Sequence, residues 1–92
     1  MTNAIVLLKV GKDRINEVAE AIVDLDGVSE VYSVAGQYDL VAVIRARDDG
    51  QVASLVTEQI LKAEGILSSE TLIAFRAYSR YDLEHIFSIG MD

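Results

Sequence analysis

The chain has 92 residues, no cysteine, and fifteen acidic against eight basic side chains, which gives a formal net charge of −7. This length is sufficient for one domain at most, residues 1–92. The absence of cysteine excludes disulfides, thiolate nucleophiles and cysteine-type zinc sites. The acidic balance, with its basic residues dispersed, argues against direct contact with nucleic acid. The first apolar run is too short for a signal peptide or a membrane span, so we expect a cytoplasmic protein without membrane contact.

Apolar residues make up 51% of the chain, which is more than one small core can readily absorb. The apolar side chains that the core cannot bury would be exposed to water unless another molecule covers them, and a second copy of the chain is the simplest such molecule. We therefore expect a homodimer at minimum.

The first half of the chain begins with a predicted strand and a predicted helix. Residues 3–10 are aliphatic and β-branched and end at Gly11, which indicates a buried strand. From residue 13 to residue 25 the apolar residues recur at helical spacing, with acidic residues between them. Gly27 then stops the helix in the manner of a C-terminal glycine.

Two β-rich runs follow, residues 28–35 and residues 39–47, separated by Gly36, Gln37 and Tyr38. This pattern predicts a hairpin.

Asp48, with Gln51 three positions later, predicts the start of a second helix. The residues that continue at helical spacing after this cap are Val52, Leu55, Val56, Gln59 and Ala63. Gly65 ends this helix, and residues 70–78 supply a predicted fourth strand.

The order β-α-β-β-α-β predicts a ferredoxin-like α+β fold, in which two helices cover one face of a four-stranded antiparallel sheet. The domain core spans residues 3–78, and the tail, residues 79–92, is predicted to carry a short helix with Leu83, Ile86 and Phe87 at helical spacing. The uncovered sheet face is then the expected subunit interface.

Residues 36–39 (Gly-Gln-Tyr-Asp) before an apolar strand, together with residues 65–73, resemble the C-terminal effector domain of the Lrp/AsnC transcription factors. The resemblance runs from about residue 3 to about residue 78, and Gly36, Asp39, Gly65 and Thr71 match the family pattern. No helix-turn-helix precedes the first strand, so we expect a stand-alone form of the ligand module.

The resemblance implies dimers formed through the open sheet face, even-numbered rings of dimers, and an amino-acid pocket where dimers meet. Loop amides and polar side chains would hold the α-carboxylate and the α-ammonium group. Any regulatory role would act through another protein, such as a related full-length regulator. The candidate ligand-binding residues are Gly36, Gln37, Tyr38, Asp39, Ser68, Ser69 and Thr71, and ordinary turn chemistry accounts for the same residues equally well.

No nucleophile–base pair, metal-ligand spacing or phosphate-binding loop is recognisable, so no catalytic residue, metal or cofactor is expected. His85 is a lone histidine and receives no role. Two other interpretations share the element order: a small dimeric α+β barrel enzyme of the monooxygenase type, and an amino-acid-sensing domain of the ACT type. The enzyme requires a cavity between sheet and helices, and the ACT domain binds its ligand beside the first strand–helix loop, here at Gly11.

Overall fold

The computed structural model describes residues 1–78 and residue 80. The predicted tail helix, with Leu83, Ile86 and Phe87, lies outside the described residues, as does His85. The predicted element order is confirmed, with one additional 3-10 turn at Ile60–Lys62. The elements are β1 (Thr2–Val10), α1 (Ile15–Val23), β2 (Val28–Ser33), β3 (Leu40–Ala46), α2 (Asp49–Glu58) and β4 (Ile66–Ile73).

The four strands form one antiparallel sheet in the order β2-β3-β1-β4. The first strand therefore lies in the middle, where Leu8 pairs with Leu40 of β3 on one side and with Ser69 of β4 on the other. This order and the two helices make the ferredoxin-like α+β fold that the sequence predicts.

The core lies between the sheet and the two helices and is entirely apolar within the described residues. Alternate side chains of the two central strands face the helices and are buried, which is the periodicity of a half-covered sheet. These buried residues are Ala4, Val6, Leu8 and Val10 on β1 and Leu40, Ala42, Ile44 and Ala46 on β3. The helices contribute Val18 and Ile22 from α1 and Val52, Leu55 and Val56 from α2.

The second helix begins at a hydrogen-bonded cap, as the sequence predicts. Asp48 Oδ1 accepts the backbone N–H of Gln51 at 2.8 Å, and Gln51 Oε1 accepts the backbone N–H of Arg47 at 2.6 Å. The reciprocal bond thus reaches one residue further back than in the usual capping box. The bond from Gln51 satisfies one of the backbone donors that the first helical turn leaves free, and the bond from Arg47 fixes the residue before the cap.

The predicted end of the second helix is wrong. The helix stops at Glu58 rather than continuing to Ala63, because Gln59 leaves the helical region with φ −126°. A 3-10 turn follows and carries Ile60 into the core, where it is fully buried. The core position in this segment is therefore Ile60, and Gln59 is exposed.

The predicted position of the last strand is also wrong, since β4 spans Ile66–Ile73 rather than residues 70–78. Gly65 has φ +104° and turns the chain directly into the strand, and its carbonyl accepts the N–H of Gly11 at 2.9 Å. Ser68 and Ser69 consequently lie inside the strand instead of preceding it. Beyond the strand, the N–H of Ala74 still donates to Asn3 O, and the following residues leave the sheet.

The last strand differs from the others because it is exposed along nearly all of its length. It lies at the sheet edge, while α1 packs on β2 and α2 packs on β3 and β1. None of the helices in the described residues has the length and apolar character needed to cross a membrane.

Candidate functional site

The loop between β2 and β3 is closed by a backbone hydrogen bond from Val34 N–H to Asp39 O, 3.0 Å long. Gly36 in this loop has φ +128°, in the region that L-residues rarely occupy, and open space surrounds the position of a Cβ atom. Backbone conformation, rather than space, therefore calls for glycine here. Gln37 is exposed at the loop tip.

Asp39 fastens this loop to the central strand. Its Oδ2 accepts the backbone N–H of Val10 at 2.9 Å, and its own N–H donates to Leu8 O at 2.8 Å. The hairpin interpretation of Asp39 therefore has a direct structural basis. Among the described residues no donor bonds its Oδ1.

Tyr38 links the loop to the last strand by reaching across the end of β1. Its hydroxyl donates to Glu70 Oε1 at 2.6 Å. This bond raises the pKa of Tyr38 above its ordinary value, and burial and the glutamate charge act in the same direction. The neutral phenol is thus favoured in the folded protein, and its stabilising effect is lost as the pH rises through the raised pKa.

The sequence pattern did not indicate Glu70, although this residue lies inside the segment that carries the family resemblance. Its contact with Tyr38 joins residues 32 positions apart, and it depends on the strand order rather than on any local motif. A glutamate among serines on a strand gives no signal of this kind.

The three hydroxyl residues of β4 point to opposite sides of the sheet. Ser68 pairs with Lys9 and lies on the face away from the helices, whereas Ser69 and Thr71 pair with Leu8 and Val6 and lie on the helix side. Within one copy, the structure therefore brings Tyr38 and β4 together but does not gather all seven predicted residues into one pocket.

Thr71 lines a groove of about 360 Å³ between α2 and the edge strand β4. Its walls are mostly apolar and comprise Asp49, Val52, Ala53, Val56, Thr57, Thr71 and Ile73. The sequence did not predict this groove, because it exists only where α2 leaves β4 bare. Among the described residues, no group of three or more histidine, aspartate or glutamate side chains is placed to hold a metal ion.

The fold is that of a ferredoxin-like domain with an apolar core, and a hydrogen bond from Tyr38 to Glu70 joins the β2–β3 loop to β4. The chain matches the family model of the Lrp/AsnC ligand binding domain over residues 3–83. The chain belongs to this family.

Several known proteins are similar to the chain. An uncharacterized HTH-type transcriptional regulator of Pyrococcus furiosus, PF0250, is 34% identical over 77 residues, which are 80% of this chain and 51% of that protein. The chain thus spans about half the length of the curated relatives it matches. The crystal structure of TTHA0845 from Thermus thermophilus is 48% identical, with a TM-score of 0.81 over 87% of this chain and all of that chain.

A more distant structure shows the same fold. The regulator NMB0573 of Neisseria meningitidis, solved in complex with L-Met, has a TM-score of 0.77 at 14% identity over 86% of this chain and 53% of that chain.

Proposed function

We propose that this chain is an amino-acid-binding regulatory module that assembles with copies of itself and acts on a partner protein. The observation that carries the proposal is the match to the Lrp/AsnC ligand binding domain over residues 3–83. Relatives described as HTH-type transcriptional regulators support a role in transcription, and this role favours the cytoplasm as the place of action.

The Oδ1 atom of Asp39, which no donor among the described residues bonds, supports an amino acid as the ligand, because a carboxylate is a strong acceptor for an α-ammonium group. The distant relative solved with L-Met is an example of such a complex on the same fold. In the part of the chain that the structure describes, a single copy offers exposed polar residues around the loop and β4 rather than a closed pocket. We therefore place the complete ligand site at a contact between copies.

The surface of the sheet supports self-assembly. Ile5 and Leu72 lie side by side on the sheet face opposite α1 and α2, and they are 37% and 43% exposed in the structure described. Exposed apolar side chains that are neighbours across adjacent strands contribute to the kind of apolar patch that marks an interaction surface.

The net charge of −7 supports a protein rather than DNA as the direct partner. A related full-length regulator fits this role, since it would carry the same domain and could join a mixed assembly. The enzyme interpretation has less support, because the relatives are named as regulators and the space between sheet and helices is filled by apolar side chains.

A thermal-shift screen against the twenty amino acids tests the ligand. An amino acid present at a hundred times its Kd stabilises the folded state by about 2.7 kcal/mol and raises Tm accordingly. We expect one amino acid, or a chemically related few, to do so. If none raises Tm at millimolar concentration, the proposed ligand class is wrong.

The Asp39→Asn variant tests whether the Asp39 carboxylate binds the ligand. An asparagine keeps an oxygen that can accept the Val10 N–H, so we expect stability close to wild type. Loss of the negative charge should weaken binding of the amino acid by more than about tenfold, or 1.4 kcal/mol. Thermal unfolding measures the stability, and calorimetric titration measures the affinity.

Asp26→Asn is the matched control, because it removes one acidic charge from the turn after α1. It should leave the affinity unchanged. Equal affinities of wild type and Asp39→Asn would remove Asp39 from the site and leave it only the role of closing the hairpin.

A further inference from the structure

A depression of about 290 Å³ lies at the end of the sheet where β1 begins and β3 ends. Its lining includes two arginines, Arg45 of β3 and Arg76 of the segment that follows β4, and we call it the arginine depression. Asp39 contacts Val10 at the opposite end of β1. The arginine depression is therefore separate from the candidate site described above.

The backbone brings three parts of the chain together around the arginine depression. Arg45 pairs with Asn3 across β3 and β1, and the side chains of directly paired residues project from the same face with their Cβ atoms about 5 Å apart. The N–H of Ala74 donates to Asn3 O at 2.9 Å. This bond holds the start of the segment that carries Arg76 against β1.

The arginine depression is positively charged. Within the part of the chain that the structure describes, no acidic residue lines it. Both ion pairs found in that part belong to Arg14, so no described carboxylate neutralises Arg45 or Arg76. Two positive charges thus lie together on a chain whose net charge is −7.

The acidic residues around Arg45 are engaged elsewhere. Glu30 accepts the hydroxyl of Tyr32 at 2.5 Å, and Tyr32 lies farther from Arg45 along the sheet than Glu30 does. This bond directs the Glu30 carboxylate away from the arginine depression. Asp48 and Asp49 follow Arg45 in the sequence, but they lie at the start of α2 and both accept hydrogen bonds there.

The side chain of Asn3 adds an amide to the two guanidinium groups. Its Oδ1 atom is buried, and none of the described donors bonds it. The two polar atoms of an amide point in different directions, so the burial of Oδ1 leaves Nδ2 as the atom that can face the arginine depression. Nδ2 is a hydrogen-bond donor, as are both guanidinium groups. The polar lining therefore suits a ligand that accepts hydrogen bonds.

The charges and donors favour a phosphate group. Guanidinium groups bind phosphate oxygens through paired N–H donors. A phosphate monoester carries close to two negative charges above pH 7, which match the two positive charges of Arg45 and Arg76. A zwitterionic amino acid matches less well, because its ammonium group would meet two cations and no described carboxylate.

The rest of the wall is apolar and favours an ester over free phosphate. This part of the lining consists of small or aliphatic residues, namely Ala4, Ile5, Val43, Ala74 and Ala77. Apolar walls with a few convergent polar groups are typical of sites that bind small molecules. Carbon atoms attached to the phosphate would contact this wall and leave water.

We propose that the arginine depression binds the phosphate group of a small organic phosphate ester. Arg45 and Arg76 donate to the phosphate oxygens, Asn3 Nδ2 donates a further hydrogen bond, and the apolar wall contacts the carbon atoms of the ester. The site shares no residue with the candidate amino-acid site, so this inference goes beyond the proposed function and does not depend on it.

Calorimetric titration with three probes tests the ligand class. At pH 8 and low salt, phenyl phosphate should bind the full chain saturably at one site per chain. Phenyl sulfate has the same ring but only one charge, and inorganic phosphate has no ring, so each should bind at least about tenfold more weakly. Equal affinity for inorganic phosphate would contradict an ester site. Absence of saturable phenyl phosphate binding would overturn the whole inference.

The double variant Arg45→Gln/Arg76→Gln tests the two arginines. Each lost charge-assisted hydrogen bond should raise the Kd of phenyl phosphate by about tenfold or more. The matched control is Lys12→Gln/Lys62→Gln, which removes the same total charge from two exposed side chains outside the arginine depression. Circular dichroism verifies that both variants are folded. Equal weakening in the control would show diffuse attraction instead of a site and would overturn the inference.

Nuclear magnetic resonance locates the bound phosphate. Phenyl phosphate should shift the side-chain amide signals of Asn3, and shifts confined to other regions of the chain would contradict the proposed site. The Asp39→Asn variant should bind phenyl phosphate within about twofold of wild type, because distant sites act independently. A larger change there would mean that the anion binds at the candidate amino-acid site, which would overturn the inference and leave the proposed function to its own tests.

Discussion

Replacing Leu8 with alanine should lower the free energy of unfolding by about 2–5 kcal/mol. Leu8 is fully buried on the central strand β1 and is among the largest side chains of the core. Its removal takes apolar surface from the core and leaves a cavity between two strands and the helices, which a closely packed interior fills only in part. Chemical denaturation of the variant and the wild type measures the difference.

Leu67→Ala is the matched control, because it is the same substitution on the same sheet at a side chain that is 72% exposed. Its effect should stay within about 0.5 kcal/mol. Equal losses in the two variants would mean that the core described between sheet and helices does not hold the fold together. Both measurements need to be made at one protein concentration, since assembly adds to the apparent stability.

The Gly65→Ala variant should lose about 2–4 kcal/mol, because two costs coincide there. The residue has φ +104°, and a Cβ atom would lie 2.8 Å from the Cβ atom and 3.0 Å from the Cγ atom of Arg14. To relieve this clash in the variant, the turn before β4 would have to move away from Arg14 at the start of α1. Thermal and denaturant unfolding should both show the loss.

Gly36→Ala separates the two costs. Gly36 also has a positive φ, +128°, but no atom lies within 4 Å of its added Cβ. Only the conformational cost remains, about 1–2 kcal/mol. A loss at Gly36 as large as that at Gly65 would show that contact with Arg14 is unimportant.

The sequence predicts the architecture well, because hydrophobic period separates strands from helices in this chain. The buried positions of β1 alternate strictly, and Val18 and Ile22 mark one face of α1. Asp48 and Gln51 indicated the start of the second helix by cap chemistry. These patterns depend only on residues close together in the sequence, so they can be recognised without knowledge of the tertiary contacts.

The errors fall where tertiary contacts overrule local preference. Residues 70–78 contain more aromatic and β-branched side chains than residues 66–69, so propensity moved the predicted strand toward the C-terminus. Pairing with β1 decides the true position, and an edge strand that the other described residues leave exposed on both faces has no alternation to reveal it. Likewise, the end of α2 depends on Ile60 reaching the core through a 3-10 turn.

The candidate site was predictable only in part. Gly36 and Asp39 are recognisable because a tight hairpin needs their backbone and side-chain properties. The bond between Asp39 and Val10 and the bond between Tyr38 and Glu70 require knowledge of which strand lies beside which. A site shared between copies cannot be read from one chain by local pattern.

The central position of β1 also determines the order in which the sheet can be completed. The strand made first by the ribosome must wait for β3 and then for β4 before both of its edges are paired. Pairings that distant in sequence close slowly, since the chain loses loop entropy before the contacts form. Until β4 has been synthesised, the unpaired edge of β1 can pair with a strand of another nascent chain. We therefore expect this protein to be most prone to misassembly during its synthesis.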